Sequence, residues 1–299
     1  MTACFPHPYV VFGVTGRTGA AAADALLRSG LPVRVVVRDL AQGRPWAERG
    51  AEVAVADLTD LASMVAALSQ AQGAYVVCPQ HYQREDLFVR ADLIATITAR
   101  AAVAAEVPRL VALSSVGADR ENGTGWIGMN RMFEQRLGAT GVPTTFLRAA
   151  YFMENWMPMV GHAIHSGVLP TFLTPAERTI PMVATVDVGS AAAALLQEAR
   201  KGSGVVTLSG PRDYAPNDVA ALMSAALGTL VEVAELPEAA WPNALADAGF
   251  SPAALAGFTE MSRGLIGSHI DIKSDHAAIE WAGTTMLEHV IIELVRRQR

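Results

Sequence analysis

Apolar residues in the first half of the chain gather into short, nearly unbroken runs such as "VRVVV", "AYVV" and "LVAL", separated by longer Ala/Leu-rich stretches. Runs without alternation suit strands covered on both faces, and their regular exchange with helical stretches is the pattern of repeated βα units around a parallel sheet. The pattern predicts strands at Tyr9–Val14, Val33–Arg38, Glu52–Ala56, Ala74–Cys78, Leu110–Ser114 and Thr144–Arg148. Helices are predicted over Thr18–Ser29, Leu61–Gln70, Arg84–Ala105 and Gly128–Ala139, with Asp60 as the N-cap of the second.

After Ala149 the rhythm changes. "YFMENWMPMVGHAIHSGVLPTFLTPAER" is rich in Met, aromatic residues and proline, and strand character returns only in "TIPMVATVDV" and in Gly204–Gly210. Asp187 is placed to cap the helix that follows, and the last ninety residues read as mostly helical. No repeat or low-complexity linker interrupts the chain. The expectation is an α/β, Rossmann-like, doubly wound parallel sheet over 1–150. A smaller, mostly helical C-terminal lobe over 151–299 packs on it, with one or two strands returning to the main sheet.

The first predicted strand runs into "GVTGRTG", where Gly13, Gly16 and Gly19 form G-x-x-G-x-x-G at a strand-to-helix turn. Missing side chains there let backbone N–H groups approach a pyrophosphate at the positive end of a helix, and the last glycine permits close strand–helix packing. Thr15, Arg17 and Thr18 complete the turn and join the glycines as cofactor-binding candidates. At the end of the second strand "VVVRDL" offers both Arg38 and Asp39. An arginine there accommodates a ribose 2′-phosphate, whereas a carboxylate grips a 2′-hydroxyl.

Charge decides between them. The whole chain carries −6, yet its first fifty residues hold six arginines against three acids, which favours NADP(H) and leaves NAD(H) as the alternative. Asp57, with Leu58, ends the third strand as either an adenine-edge contact or a turn residue. The acidic whole gives no electrostatic reason to expect nucleic acid or an anionic membrane as partner. No membrane-length apolar run or targeting segment is present, and Cys4 and Cys78 are too few for a disulfide framework. A cytoplasmic setting is expected.

Taken together, "GVTGRTG", "VVVRD", "VADLTD", "LVALSSVGAD", "GVPTTFLRAAYFMENW" and "DVGSAAAALL" resemble the NmrA-like branch of the atypical short-chain dehydrogenases, up to about Gly210. The resemblance implies a Rossmann-like domain, NADP(H) as the usual cofactor, and a substrate cleft between the two lobes. It also implies that the loop "CPQHYQRED" lies along the cofactor, so Cys78, Pro79 and Gln80 would touch it and His81 or Tyr82 would face the nicotinamide as proton donor. His81 is otherwise a solvated loop residue and Cys78 a small buried hydrophobe. Ala149, Tyr151 and Phe152 would meet the cofactor, and Ser114 would bond backbone or ribose. Asn155, Trp156 and Met157 would line the substrate pocket or be plain core, with Trp126 closing the cleft.

The chain departs from the family at its catalytic centre. No tyrosine has lysine four residues later, so the Tyr-x-x-x-Lys pair of ordinary short-chain dehydrogenases is absent. The lysine that many NmrA-like reductases carry eleven residues before "GVP" corresponds to Asn130. The only lysines are Lys201 and Lys273. The leading expectation is an NADPH-dependent reductase of a hydrophobic quinone- or carbonyl-type molecule. A non-catalytic NADP(H) sensor and a non-redox isomerase or cyclase are the alternatives. His162 and His165 have no metal-binding constellation around them, so no metal is expected. The C-terminal "LEHVIIELVRRQR" is a packing helix or a homodimer contact.

Overall fold

The computed structural model describes residues 7–198, 202–272 and 278–298; Cys4, Lys201 and Lys273 lie outside them. The strands are β1 (Tyr9–Val11), β2 (Val33–Val37), β3 (Glu52–Val55), β4 (Gly73–Val76), β5 (Leu110–Ser115), β6 (Thr144–Ala149), β7 (Tyr151–Phe152), β8 (Val168–Thr171), β9 (Ile180–Val183), β10 (Gly204–Ser209), β11 (Asp213–Tyr214), β12 (Glu232–Glu235) and β13 (Ile279–Ala282). The helices are α1 (Arg17–Arg28), α2 (Leu40–Ala47), α3 (Leu61–Leu68), α4 (Leu87–Ala104), α5 (Ile127–Gly138), α6 (Met157–Ser166), α7 (Thr185–Gln197), α8 (Pro216–Leu227), α9 (Trp241–Ala244), α10 (Pro252–Ile266) and α11 (Leu287–Gln298).

Eight strands form the main sheet in the order β13-β10-β6-β5-β4-β1-β2-β3, and its pairings are parallel. The chain runs outward from β1 through β2 to β3, then returns to the other side of β1 with β4. A topological switch therefore lies between β1 and β4, at the place where open α/β sheets bind ligands. Both sheet faces are covered: Leu26, Val35, Leu147 and Leu196 are buried on one, Met64, Ala95, Phe133 and Leu137 on the other. α1 and α7 pack together on the first face. Gly189 makes this close approach necessary, since a Cβ there would lie 2.3 Å from the Ala21 Cβ.

The chain after Ala150 contributes β10 and β13 to the main sheet and also builds a second core. There β7, β9 and β11 form one small sheet, β8 and β12 another, around buried Met153, Trp156, Met182 and Tyr214. The apolar stripe of α11, with Leu287 and Ile291 fully buried, packs into this core. No helix among the described residues is long and apolar enough to cross a membrane.

Three local expectations are corrected by the structure. Helix α2 forms where none was predicted: the Asp39 carboxylate accepts the Ala41 N–H at 2.9 Å, and this cap outweighs Gly43 and Pro45. Asp187 is not the cap of α7, because Ala184 occupies that position. The Asp187 carboxylate instead accepts the backbone N–H and hydroxyl of Thr285, at 2.9 and 2.8 Å, anchoring the chain beyond β13 to α7. β4 ends at Val76, which leaves Val77 and Cys78 beyond the sheet edge.

Candidate active site

A cavity of about 730 Å³ opens at the carboxyl ends of β1, β4, β5 and β6 and reaches into the C-terminal lobe. At one end lies the glycine turn, where Gly13, Thr15, Gly16 and Thr18 form its wall. Gly13 has φ +71°, and a Cβ on it would come 2.8 Å from a Val77 methyl. Gly19 lies outside the cavity and is required by packing, for its Cβ would stand 2.3 Å from the Gly13 carbonyl oxygen. At Gly16 an added Cβ would stand 3.3 Å from the Gly13 carbonyl oxygen, a tight contact but a milder one than at Gly19.

Helix α1 starts without a side-chain cap, and its first backbone bond is from Ala20 N–H to the Gly16 carbonyl. The N–H groups of Arg17, Thr18 and Gly19 precede that bond and are oriented for an anion at a helix N-terminus. These residues fit a dinucleotide pyrophosphate. Arg17 is not in the wall; its guanidinium reaches the Met157 sulfur at 3.3 Å and ties the turn to α6.

Beyond β2 and β3 the pattern continues outside the cavity. Arg38 is exposed, whereas the Asp39 carboxylate is committed to capping α2. Asp57 accepts the Thr59 N–H and hydroxyl at 2.8 and 2.7 Å, and these bonds, helped by the charges of Arg90 and Arg38, hold its carboxyl below the usual range. Leu58 packs against the core beneath. His81 is also outside the wall: partial burial, then the charges of Arg90, Arg38 and Arg84, push its pKa down. The loop after β4 thus sends Cys78, Pro79, Gln80 and Tyr82 into the cavity and places His81 in the field of those arginines.

Tyr82 stacks on Trp126 with ring centroids 3.8 Å apart, and Phe250 meets both rings edge-on. Burial raises the Tyr82 hydroxyl pKa, so it stays protonated throughout the neutral range. Trp126 donates its indole N–H to the Ala254 carbonyl at 2.8 Å and packs on Gly257, where a Cβ would come 2.6 Å from the indole. Asn130 lines the cavity from α5.

Ser114 faces the cavity from β5 and donates its hydroxyl proton to Glu134, one helical turn beyond Asn130. Glu134 is held in turn by Arg148, whose Nε and Nη2 donate at 2.9 and 2.6 Å; both side chains are nearly buried. With its proton so committed, Ser114 offers lone pairs to a donor in the cavity.

Ala149, Tyr151 and Phe152 are in the wall. The next three predicted residues are not. Asn155 is exposed, Met157 packs at the edge of the second core, and Trp156 is 2% exposed within it. The 3₁₀ turn Met153–Trp156 rotates Trp156 inward, so the pocket that sequence assigned to this segment is built from other residues.

Those residues come from β9 and the segment before it, from α10 and from the chain after it: Arg178, Ile180, Met261, Leu265 and Ile270 among them. A signal for α10 was available, since Gly257 and Gly264 are seven apart on one helical face. The loop holding Gly123 and Gly125 nestles there, and a Cβ on Gly125 would stand 1.9 Å from the Gly257 carbonyl. His162 and His165 lie on α6, where the His165 Nδ1 meets the Gly161 carbonyl at 2.6 Å. Among the described residues no cluster of three or more His, Cys, Asp or Glu could hold a metal.

The family model described as NmrA-like matches residues 9–283. An NAD(P)H azoreductase of Xenophilus azovorans is 29% identical over 223 residues, 73% of each chain. A (4-alkanoyl-5-oxo-2,5-dihydrofuran-3-yl)methyl phosphate reductase of Streptomyces griseus subsp. griseus is 30% identical over 237 residues, 76% of each. An Escherichia coli NADPH-dependent quinone oxidoreductase, solved with NADPH, shares the fold with a TM-score of 0.77 and 23% identity, over 96% of this chain and 99% of that one.

Proposed function

The chain belongs to the NmrA-like family, and on that premise we propose that it is an NADPH-dependent reductase of an apolar, quinone- or azo-type acceptor. The observation that carries this reading is continuity: one cavity joins the anion-binding turn of α1 to an apolar chamber large enough for a small molecule. NADPH bound along the turn supplies hydride. The protein contributes placement of cofactor and acceptor.

Gly13, Gly16 and the first N–H groups of α1 hold the pyrophosphate. Arg38 takes the 2′-phosphate, a role Asp39 does not oppose because its carboxylate is engaged as a cap. Ser114, its proton directed to Glu134, accepts from a ribose hydroxyl or the carboxamide. Trp126, Met261 and Leu265 bound the acceptor chamber. Tyr82 borders the chamber with its hydroxyl protonated, but burial makes it a weaker acid than free tyrosine. It therefore gives its proton only to a strongly basic reduced acceptor, and a quinone takes its proton from water. The Asn130 amide orients the acceptor in place of the family's lysine. Quinone and azo groups suit this arrangement because, once reduced, they draw a proton from a weak donor or from water.

NADPH oxidation by the purified protein, followed at the nicotinamide absorbance against quinones, azo dyes and aromatic ketones with NADH in parallel, tests the reading. Saturable turnover that favours NADPH is expected. Tight NADPH binding with no turnover of any acceptor would overturn it in favour of a sensor.

A further inference from the structure

We propose that Arg178 recognises a negatively charged substituent on the acceptor, a carboxylate or sulfonate, and so makes this an enzyme for monoanionic acceptors; the proposal rests on the reductase reading and narrows its substrate class. Arg178 precedes β9 and lines the cavity from the C-terminal lobe, beside Ile180 and Pro181. Its two terminal nitrogens donate to the Ile266 carbonyl and the Ser268 hydroxyl, which fixes the guanidinium against the end of α10. Neither partner is charged. Arg34, Arg148 and Arg263 each have a carboxylate partner, whereas Arg178 is half-buried and forms no ion pair with any described residue.

A partly desolvated guanidinium without a counter-ion is unfavourable, and a planar anion restores the missing interaction through charge-assisted bonds. Because two hydrogen bonds already hold the plane in place, little side-chain entropy remains to be lost when the remaining N–H donors engage such a group. Asp213, opposite Pro181 in the β9–β11 pairing, also faces the cavity. Its charge restricts the favourable position to the vicinity of Arg178 and disfavours a second negative group. Apolar neighbours Leu265 and Ile270 fit the body of an aromatic acceptor.

The test uses three related dyes: dimethylaminoazobenzene, its ring carboxylate methyl red, and the methyl ester of methyl red. Binding to the full-length protein is measured by equilibrium dialysis with NADP+ present, so that no dye is consumed. Methyl red is expected to bind at least about tenfold tighter than the ester or the parent. Arg178→Met should bring the three within about twofold of each other, and Arg178→Lys should restore part of the preference. A thermal melt, together with retained binding of the neutral parent, identifies a folded variant.

Equal binding of the three dyes to the wild type, absence of binding by any of them, or a preference that survives in Arg178→Met would each overturn the proposal. So would a loss of NADP+ affinity in that variant matching its loss of methyl red, because the guanidinium would then be reading the cofactor. NADPH oxidation measured separately distinguishes the two readings. Turnover without carboxylate preference removes the anion site alone, and carboxylate preference without turnover removes the reductase and leaves the anion site standing.

Discussion

Replacing Glu134 with glutamine perturbs the most deeply placed charge pair beside the cavity. Its carboxylate accepts from Nε and Nη2 of Arg148 and from the Ser114 hydroxyl, and the two charged side chains retain only 11% and 8% of their exposure. Removing one partner of a buried pair costs about 3–5 kcal/mol because the other charge is left uncompensated. Glutamine keeps one acceptor for Arg148, and Asp119 lies 3.9 Å from its Nη1. The expected loss therefore falls somewhat below that range, about 2–3 kcal/mol, a large part of a typical domain's stability. Urea unfolding at neutral pH should show it as a lower midpoint with an unchanged slope. The double variant Glu134→Gln/Arg148→Met should recover part of the loss, since no buried cation then remains. A change below about 0.5 kcal/mol, the range of an ordinary surface substitution, would refute the reasoning.

Other consequences are equally direct. Arg38→Ala should weaken NADPH about 10- to 100-fold while leaving NADH nearly unchanged, and Asp39→Ala should cost about 1 kcal/mol of helix capping without altering that choice; titrations with both cofactors and a thermal melt read these. Gly19→Ala drives a Cβ into backbone at Gly13 and should abolish NADPH binding and lower the melting temperature, whereas Gly16→Ala should fold and lose affinity only. Burial pushes the Cys78 thiol up to about 12, and a raised pKa means the thiolate is scarce below that value. In a Cys4→Ser background a thiol reagent at pH 8 should therefore find only about one molecule in ten thousand ionised, with reactivity climbing steadily as pH rises; a plateau near pH 8 would contradict it.

The parallel half of the fold was legible because its strands are buried on both faces and write themselves as continuous apolar runs, and because glycines at a first strand's end admit few readings. Tyr82, Trp126 and Asn130 border the cavity because they follow strands of that βα series, whereas Arg38, at the end of β2, is exposed outside it. Residues that reach the cavity through tertiary packing were not: Arg178 and the end of α10 arrive from distant parts of the chain. The Met- and aromatic-rich stretch after β6 carried the wrong clue, since such side chains serve a core as readily as a pocket, and Trp156 serves the core. Arg148 could have been flagged, because a charge inside "TTFLRAA" requires a partner. Identifying Glu134 as that partner needed the β5–β6 register, which sets Arg148 beside Ser114.

In the proposed reaction hydride passes directly from NADPH, held at the α1 turn, to an acceptor in the adjoining chamber. NADPH deuterated on one or the other face of the nicotinamide C4, oxidised by the enzyme in the presence of a quinone, tests it by mass spectrometry of the NADP+ formed. A fixed cavity on one side of the ring predicts that NADP+ retains all the deuterium from one label and none from the other. Retention that does not depend on the label, or NADP+ formation at the rate seen without enzyme, would contradict the account.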